Sequence, residues 1–403
     1  MNRYLRPTKE RGDVDEKGSA TIGADGANVA RLCWGFVSLT DRTAHSIAAV
    51  PTGFTASQVT SGLTAPTDIE FAPDGRLFVA EQAGRVRIAK PDGTLATFLD
   101  ISTKVDSTGE RGLQALTFDP GFSTNRYVYL HYTKKATSTT PVHNRVVRVT
   151  ASGDKVVAGS EKLIFRLNNQ DDPQHMGGAL DFGADRKLYI STGDNVGGNT
   201  QTLQNLLGKM LRINKDGTIP TGNPFYASAT GNNRAIWALG LRNPFKFAVQ
   251  PGTGTMFIND VGDKAWEEIN RGARGANYGW SLCEGNHDNP NRPGSVNCSA
   301  APYTAPVHEY AHGSTDTTGC SITGGTFYNP TTIQFPSGYV GDYFFADLCS
   351  GWIRTYDPTS GAASGFATGL EMPIDLEVSK AGQLYYLTRG SAASVGKIGY
   401  ASN

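Results

Sequence analysis

The sequence predicts an all-β protein, a six-bladed β-propeller of four-stranded antiparallel blades, and three observations lead there. The 403 residues include 48 Gly and 20 Pro with only 18% charged side chains, a composition for many short strands and tight turns rather than helices. One pattern recurs six times: turn residues, a strand containing an aromatic, a small or polar bend, and a second strand. The copies are spaced unequally, by about 40 to 90 residues, as blades carrying loop insertions of different length would be.

In chain order, Pro73–Glu81 leads through Gly84 to Val86–Ile88, and Asn125–Tyr132 is followed by Asn144–Val149. Asp185–Asp194 runs on to Lys209–Ile213, and Pro251–Asp260 precedes Trp266–Ile269. Gly341–Asp347 precedes Trp352–Tyr356, and Lys380–Leu387 precedes Gly396–Ile398. Each copy supplies the two middle strands of a blade. No blade can bury both of its faces alone, so the units must stack radially around a channel. The largest insertions, residues 194 to 250 and 270 to 335, are where a rigid scaffold usually carries its chemistry.

The propeller is expected over residues 51–403. Residues 1–50 differ: a charged opening (Arg3, Arg6, Lys9, Glu10, Arg11, Asp13) reaches only a weak apolar patch at Cys33–Val37. Ser46–Ala49 resembles a small-residue cleavage site, but Asp41, Arg42 and His45 interrupt the apolar run that should precede it. An atypical leader or a poorly ordered segment is expected there.

Lys plus Arg and Asp plus Glu each number 37, for a formal net charge of zero. Such a chain has no field to hold a polyanion, so no nucleic-acid partner is expected. No window approaches the ~18 apolar residues of a membrane-spanning helix. Of the five cysteines, Cys283 and Cys298 bracket a polar loop, while Cys320 and Cys349 lie in consecutive strand regions. Two disulfides there would leave Cys33 alone and suit an oxidising compartment; five free thiols are the alternative.

Three segments carry candidate chemistry. His175 stands where a polar loop meets Gly177 and Gly178; an imidazole titrating near neutrality suits proton abstraction, and two glycines admit a backbone or a flat ligand closely. A simply solvated loop histidine is the other reading. Arg242 and Asn243, before Pro244, set a planar donor fork beside an amide, or else mark a turn fixed by Asn-Pro. Asp260–Asp263, Trp266–Asn270 and Gly275–Trp280 concentrate carboxylates and bendable backbone. That combination suits a hard cation such as Ca²⁺ as well as it suits solvated strand ends.

Taken together, His175-x-Gly-Gly, Leu211–Asn214 with Asp216-Gly217 and Asn223-Pro224, Gly240–Pro244, Glu268–Asn270 and Asn277–Trp280 resemble the glucose/sorbosone dehydrogenase family. These are soluble sugar dehydrogenases that use pyrroloquinoline quinone (PQQ) and have six-bladed propellers. The likeness runs from about residue 53 to 400 in unbroken motif order. It implies that His175 is the base that takes the sugar hydroxyl proton as hydride passes to the quinone. It implies that Arg242 and Asn243 contact the quinone plane and its carbonyl. The main-chain carbonyls of Gly262 and Asp263 would hold the Ca²⁺ that polarises PQQ, and Glu268 with the Tyr278 carbonyl would hold a structural Ca²⁺.

The chain also departs from the family. The lysine and the Arg-x-Arg pair that bind the PQQ carboxylates are replaced by Leu348–Gly351 and Met372–Leu376. Asp375 would repel the cofactor unless Arg354, Lys380 or Arg389 reached in. The leading reading is PQQ- and Ca²⁺-dependent oxidation of an aldose or related sugar, with electrons passed to an external acceptor. The alternative is a secreted propeller, similar to hedgehog-interacting-protein relatives, that binds carbohydrate or a protein partner and no PQQ. Secretion or a periplasmic location follows from the cysteines and the resemblance. A metal-dependent propeller hydrolase would need carboxylates converging on the channel, and no such set is visible in the sequence.

Overall fold

The computed structural model describes residues 48–289, 291 and 296–401. Of the leader or poorly ordered segment expected over residues 1–50, residues 1–47, with Cys33, lie outside the described residues.

Six four-stranded antiparallel sheets form the blades of a propeller. Blade 1 is Pro66–Phe71, Leu77–Glu81, Arg85–Ala89 and Leu95–Asp100. Blade 2 is Leu113–Phe118, Tyr127–Lys134, His143–Ser152 and Lys162–Asn169, with Lys155–Val156 folded back on its third strand. Blade 3 is Gly177–Phe182, Leu188–Thr192, Lys209–Ile213 and Ile236–Leu239; blade 4 is Pro244–Val249, Met256–Asp260, Trp266–Arg271 and His308–Ala311. Blade 5 is Ile322–Phe327, Tyr343–Asp347, Trp352–Tyr356 and Ala363–Ala367. Blade 6 takes Pro373–Val378, Leu384–Thr388 and Ser394–Tyr400 from the end of the chain and its outermost strand, Phe54–Ser61, from near the beginning. All six recurring sequence units are the second and third strands of their blades, as the pattern predicts.

The first strand of each blade is innermost, and these six strands pack side by side into a closed ring. The apolar core is divided accordingly. Each of six buried clusters belongs to one blade-to-blade interface: Phe78 and Val86 meet Leu116 and Val128, for example, and Ile69 and Val79 meet Ile374 and Val395. A single blade is therefore a half-core, and burial is completed only by its neighbours.

In each described blade the register slips near the start of the inner strand: at Pro66/Asp68, Leu113/Ala115, Gly177/Leu180, Pro244/Lys246, Ile322/Gly325 and Pro373/Asp375. These bulges re-aim side chains at the rim of the channel. The rim where inner strands begin and second strands end is the end that carries the candidate site.

Below that rim the channel contains a cavity of about 200 Å³ lined by Asp68, Glu70, Asp181, Lys246, Asp375 and Glu377. Lys246 Nζ donates to Asp68 Oδ1 and, at 2.9 Å, to Asp375 Oδ2. Carboxylates therefore do converge on the channel, contrary to the sequence reading, because the inner strands of blades 1, 3 and 6 each turn acids toward it. The Lys246 ammonium sits between two of them, Asp68 and Asp375, and among the described residues no group of acids and histidines is arranged to hold a metal.

Candidate active site

His175 sits just before the inner strand of blade 3 with φ +53°, followed by Gly177 at +58° and Gly178 at +113°. A Cβ on Gly177 would stand 2.7 Å from the Gly193 nitrogen, and one on Gly178 would stand 2.5 Å from the Gln114 side chain. The glycine pair thus lets the strand press against its own blade and against blade 2, which fixes the histidine that precedes it. The His175 backbone N–H donates to Glu110 Oε2 at 2.8 Å.

The imidazole is held by Asp194, two residues past the second strand of blade 3. Asp194 Oδ1 lies 2.7 Å from His175 Nδ1 and accepts the Val196 N–H at 2.9 Å, while Oδ2 accepts the Trp280 indole N–H at 2.8 Å. Opposite a carboxylate, Nδ1 must be the protonated nitrogen. Nε2, which has no partner among the described residues, is then the basic one. Burial pushes the Asp194 carboxyl up, but the contacts of His175, Arg242 and Trp280 outweigh it and keep the group below the usual carboxylate range.

Arg242 and Asn243 open the inner strand of blade 4. Their backbone N–H groups donate to the two oxygens of Asp260 at 2.9 and 2.7 Å, and the Arg242 carbonyl accepts the Asp194 N–H at 2.7 Å. The Arg242 guanidinium donates to the Val261 carbonyl at 3.1 Å and to Asp263 Oδ1 at 3.3 Å, and lies 5.5 Å from the Trp280 ring centre. Its Nε is buried and without a partner among the described residues. Asn243 Oδ1 accepts the Gly177 N–H at 2.8 Å, tying the two inner strands together. His175, Arg242 and Asn243, far apart in sequence, are thus brought into one hydrogen-bonded group.

Gly262 and Asp263 lie at the same end, in the turn after the second strand of blade 4. A Cβ on Gly262 would stand 1.7 Å from the Trp266 carbonyl, so only glycine fits this turn. Among the described residues no backbone N–H donates to either carbonyl, so both are available to a cation. The turn's N–H groups point instead at Glu284 Oε1, which accepts those of Asp263, Lys264, Ala265 and Trp266 at 2.7 to 3.2 Å.

Glu268 lies one layer behind. It accepts from Asn270 Nδ2 at 2.9 Å and from the Gly285 N–H. Burial, with the Asp260 carboxylate beside it, pushes its carboxyl up to about 8. Glu284 Oε2 and Asn270 Oδ1 nearby are buried oxygens without donors, and buried acceptors without donors are what a bound cation would satisfy. Tyr278 packs in the core between blades 3 and 4 and donates its hydroxyl to the Arg271 carbonyl at 2.8 Å. No hydrogen bond joins it to Glu268 among the described residues.

Of the three cations considered as replacements for the missing clamp, only Arg389 stands at this end. Its guanidinium donates to the Ala65 and Pro66 carbonyls at 2.9 and 2.7 Å and to Gln82 Oε1, and burial lowers it to about 10. Lys380 donates to the Pro73 carbonyl at the opposite end, and Arg354 lies 5.7 Å from the Trp352 ring within blade 5. Asp375 is no free repulsive charge, since Lys246 and the Ile69 N–H bind it. The disulfides Cys283–Cys298 and Cys320–Cys349 are both formed, as the cysteine positions suggest.

Asp194, Trp280, Glu110 and Glu284 were not singled out from the sequence. A signal existed for the first. Acids end the corresponding strands at Glu81, Asp260 and Asp347, where they accept N–H groups of neighbouring loops such as those of Thr64, Arg242 and Cys320. Asp194 lies two residues past the equivalent place, Thr192, and meets a histidine side chain instead.

A glucose/sorbosone dehydrogenase family model matches residues 63–396. Quinoprotein glucose dehydrogenase B of Acinetobacter calcoaceticus is 30% identical over 263 residues, 58% of this chain and 54% of that protein. Hedgehog-interacting protein of Mus musculus is 31% identical over 229 residues, 51% of this chain and 32% of that protein. The chain therefore spans about half or less of the length of these relatives. The apo form of the soluble aldose sugar dehydrogenase of Escherichia coli superposes with a TM-score of 0.74 at 24% identity, over 86% of this chain and 100% of that one, a likeness of fold. With the six blades and the ordered motifs already in place, the match across nearly the whole propeller makes this chain a member of the glucose/sorbosone dehydrogenase family.

Proposed function

We propose that the protein oxidises an aldose or a related sugar, using PQQ and Ca²⁺, with His175 as the base. The observation that carries this is the His175 imidazole, held at Nδ1 by Asp194 with Nε2 unpartnered, within one hydrogen-bonded group with Arg242 and Asn243. When bound, PQQ supplies the hydride acceptor. Arg242, with its buried unpartnered Nε, and Asn243 would hold it. The Gly262 and Asp263 carbonyls would hold the activating Ca²⁺, and Glu268 with the Tyr278 carbonyl the structural one. At the sugar, His175 Nε2 accepts the hydroxyl proton and Asp194 stabilises the resulting imidazolium. Electrons would leave to an external acceptor. Two disulfides are consistent with an extracellular or periplasmic setting.

One observation favours a second reading, a secreted propeller that binds carbohydrate or a protein partner. Leu348–Gly351 and Met372–Leu376 offer no cation to a tricarboxylate, and Arg389 already serves protein carbonyls. The deciding experiment is titration of the protein with PQQ in Ca²⁺, followed through the quinone absorbance and then by a panel of aldoses. Binding followed by sugar-dependent reduction, abolished in His175→Ala, supports the dehydrogenase. No binding at micromolar PQQ supports the second reading.

A further inference from the structure

We infer that Trp280 is a positioning residue for His175, acting through Asp194, and that the same indole braces Arg242. This rests on the reading of His175 as the base. The Asp194 side chain is 2% exposed, so water contributes little to its orientation and protein donors must set it. Oδ1 is shared by His175 and the Val196 N–H. Oδ2 has one donor among the described residues, the Trp280 indole N–H at 2.8 Å. Without that donor the carboxylate can turn, and the tautomer and orientation of the imidazole are no longer fixed.

Trp280 is itself held on both sides. Its backbone N–H donates to the Gly240 carbonyl at 2.9 Å, and its carbonyl accepts from Thr200 Oγ1 and, at 2.6 Å, from Gln201 Nε2. The preceding Gly279 has φ +91° and allows Cys283 to within 2.7 Å of where a Cβ would stand. Cys283 is then bridged to Cys298. The indole is thus fixed by blade 3, by the loop after Asp194 and by a cross-linked turn. One face also lies against the Arg242 guanidinium, 5.5 Å from the ring centre. One ring therefore supports groups on two different blades, the kind of rigid outer support that catalytic geometry requires.

The test is ¹⁵N-histidine NMR of the Ca²⁺-loaded protein without PQQ, with the His175 signals assigned by their loss in His175→Ala. Wild type should show His175 as the single Nδ1–H tautomer. Trp280→Phe, which keeps a ring under Arg242 but removes the N–H, should show a mixture. In the loaded enzyme it should lower kcat about tenfold with KM within about twofold, and Trp280→His, which can donate again, should restore part of both. If Trp280→Phe does not fold, benzothienylalanine placed at position 280, of the same shape without the N–H, should give the same mixture. Wild-type tautomer populations in whichever of these folds would overturn the inference. A wild type that never oxidises sugar would sink the dehydrogenase reading alone, because the tautomer measurement needs neither cofactor nor substrate.

Discussion

Glu284 Oε1 accepts the Asp263 backbone N–H at 2.7 Å, and the same oxygen takes the next three N–H groups of that turn. One carboxylate therefore holds the turn whose other side presents the Gly262 and Asp263 carbonyls. Glu284→Ala should cost about 2 to 3 kcal/mol, since four N–H groups of the turn lose one carboxylate acceptor, and should weaken Ca²⁺ binding. Glu284→Gln, which keeps an oxygen in place, should retain most of both. Denaturant melts and calorimetric Ca²⁺ titration of the two variants are the check.

Glu268 is expected to respond to metal directly. Its carboxyl is pushed up to about 8 by burial and by Asp260, and a divalent cation reverses that cost by stabilising the charged form. Ca²⁺ should raise the melting temperature of the wild type clearly more than that of Glu268→Ala, as expected when one of the ions that bind only the folded state is lost. An equal response in both proteins would place the structural ion elsewhere.

Lys246 tests the channel. It reaches from blade 4 to Asp68 of blade 1 and Asp375 of blade 6, the residues that follow the same bulge in their own strands. Lys246→Met leaves two buried carboxylates facing each other and should cost about 3 to 5 kcal/mol. The triple change Lys246→Met, Asp68→Asn, Asp375→Asn should recover much of that loss in the same urea titration.

Glu377, deeper in the channel, gives the pH dependence. Burial first, then the Asp375 and Asp181 carboxylates, raise it to about 8, and Glu70 beside it is also raised. A carboxyl whose folded-state value exceeds its unfolded one contributes nothing adverse in acid. It loses stability as pH climbs from the ordinary carboxylate range through about 8. Glu377→Gln should therefore match wild type near pH 4 and exceed it by about 2 kcal/mol at pH 8. Paired denaturant curves at the two pH values measure this, and a constant offset would contradict it.

The middle strands were legible because their signal is local. Leu77–Glu81 and Leu188–Thr192 each follow a turn of their own and carry their apolar residues within five positions. His175, Arg242 and Asn243 were singled out through the short motifs His-x-Gly-Gly and Arg-Asn-Pro, and the fold brings them together. The channel was not. Lys246 is 178 residues from Asp68 and 129 from Asp375, and nothing near any of them announces the others. Asp194 was hidden by its repeat: its counterpart Asp260 binds backbone N–H groups, whereas Asp194, two residues further along, meets a side chain. Trp280 was visible within a motif, but its hydrogen bond spans 86 residues.

The sixth blade is assembled from Ser394–Tyr400 and Phe54–Ser61. During synthesis Phe54–Ser61 waits, without a strand partner, until Ser394–Tyr400 has left the ribosome. Five blades can stack before then, yet the ring has no last partner, and an exposed edge strand is a template for intermolecular pairing. A stalled or shortened product that stops before Ser394 would thus carry five blades and a Phe54–Ser61 strand still seeking its neighbour.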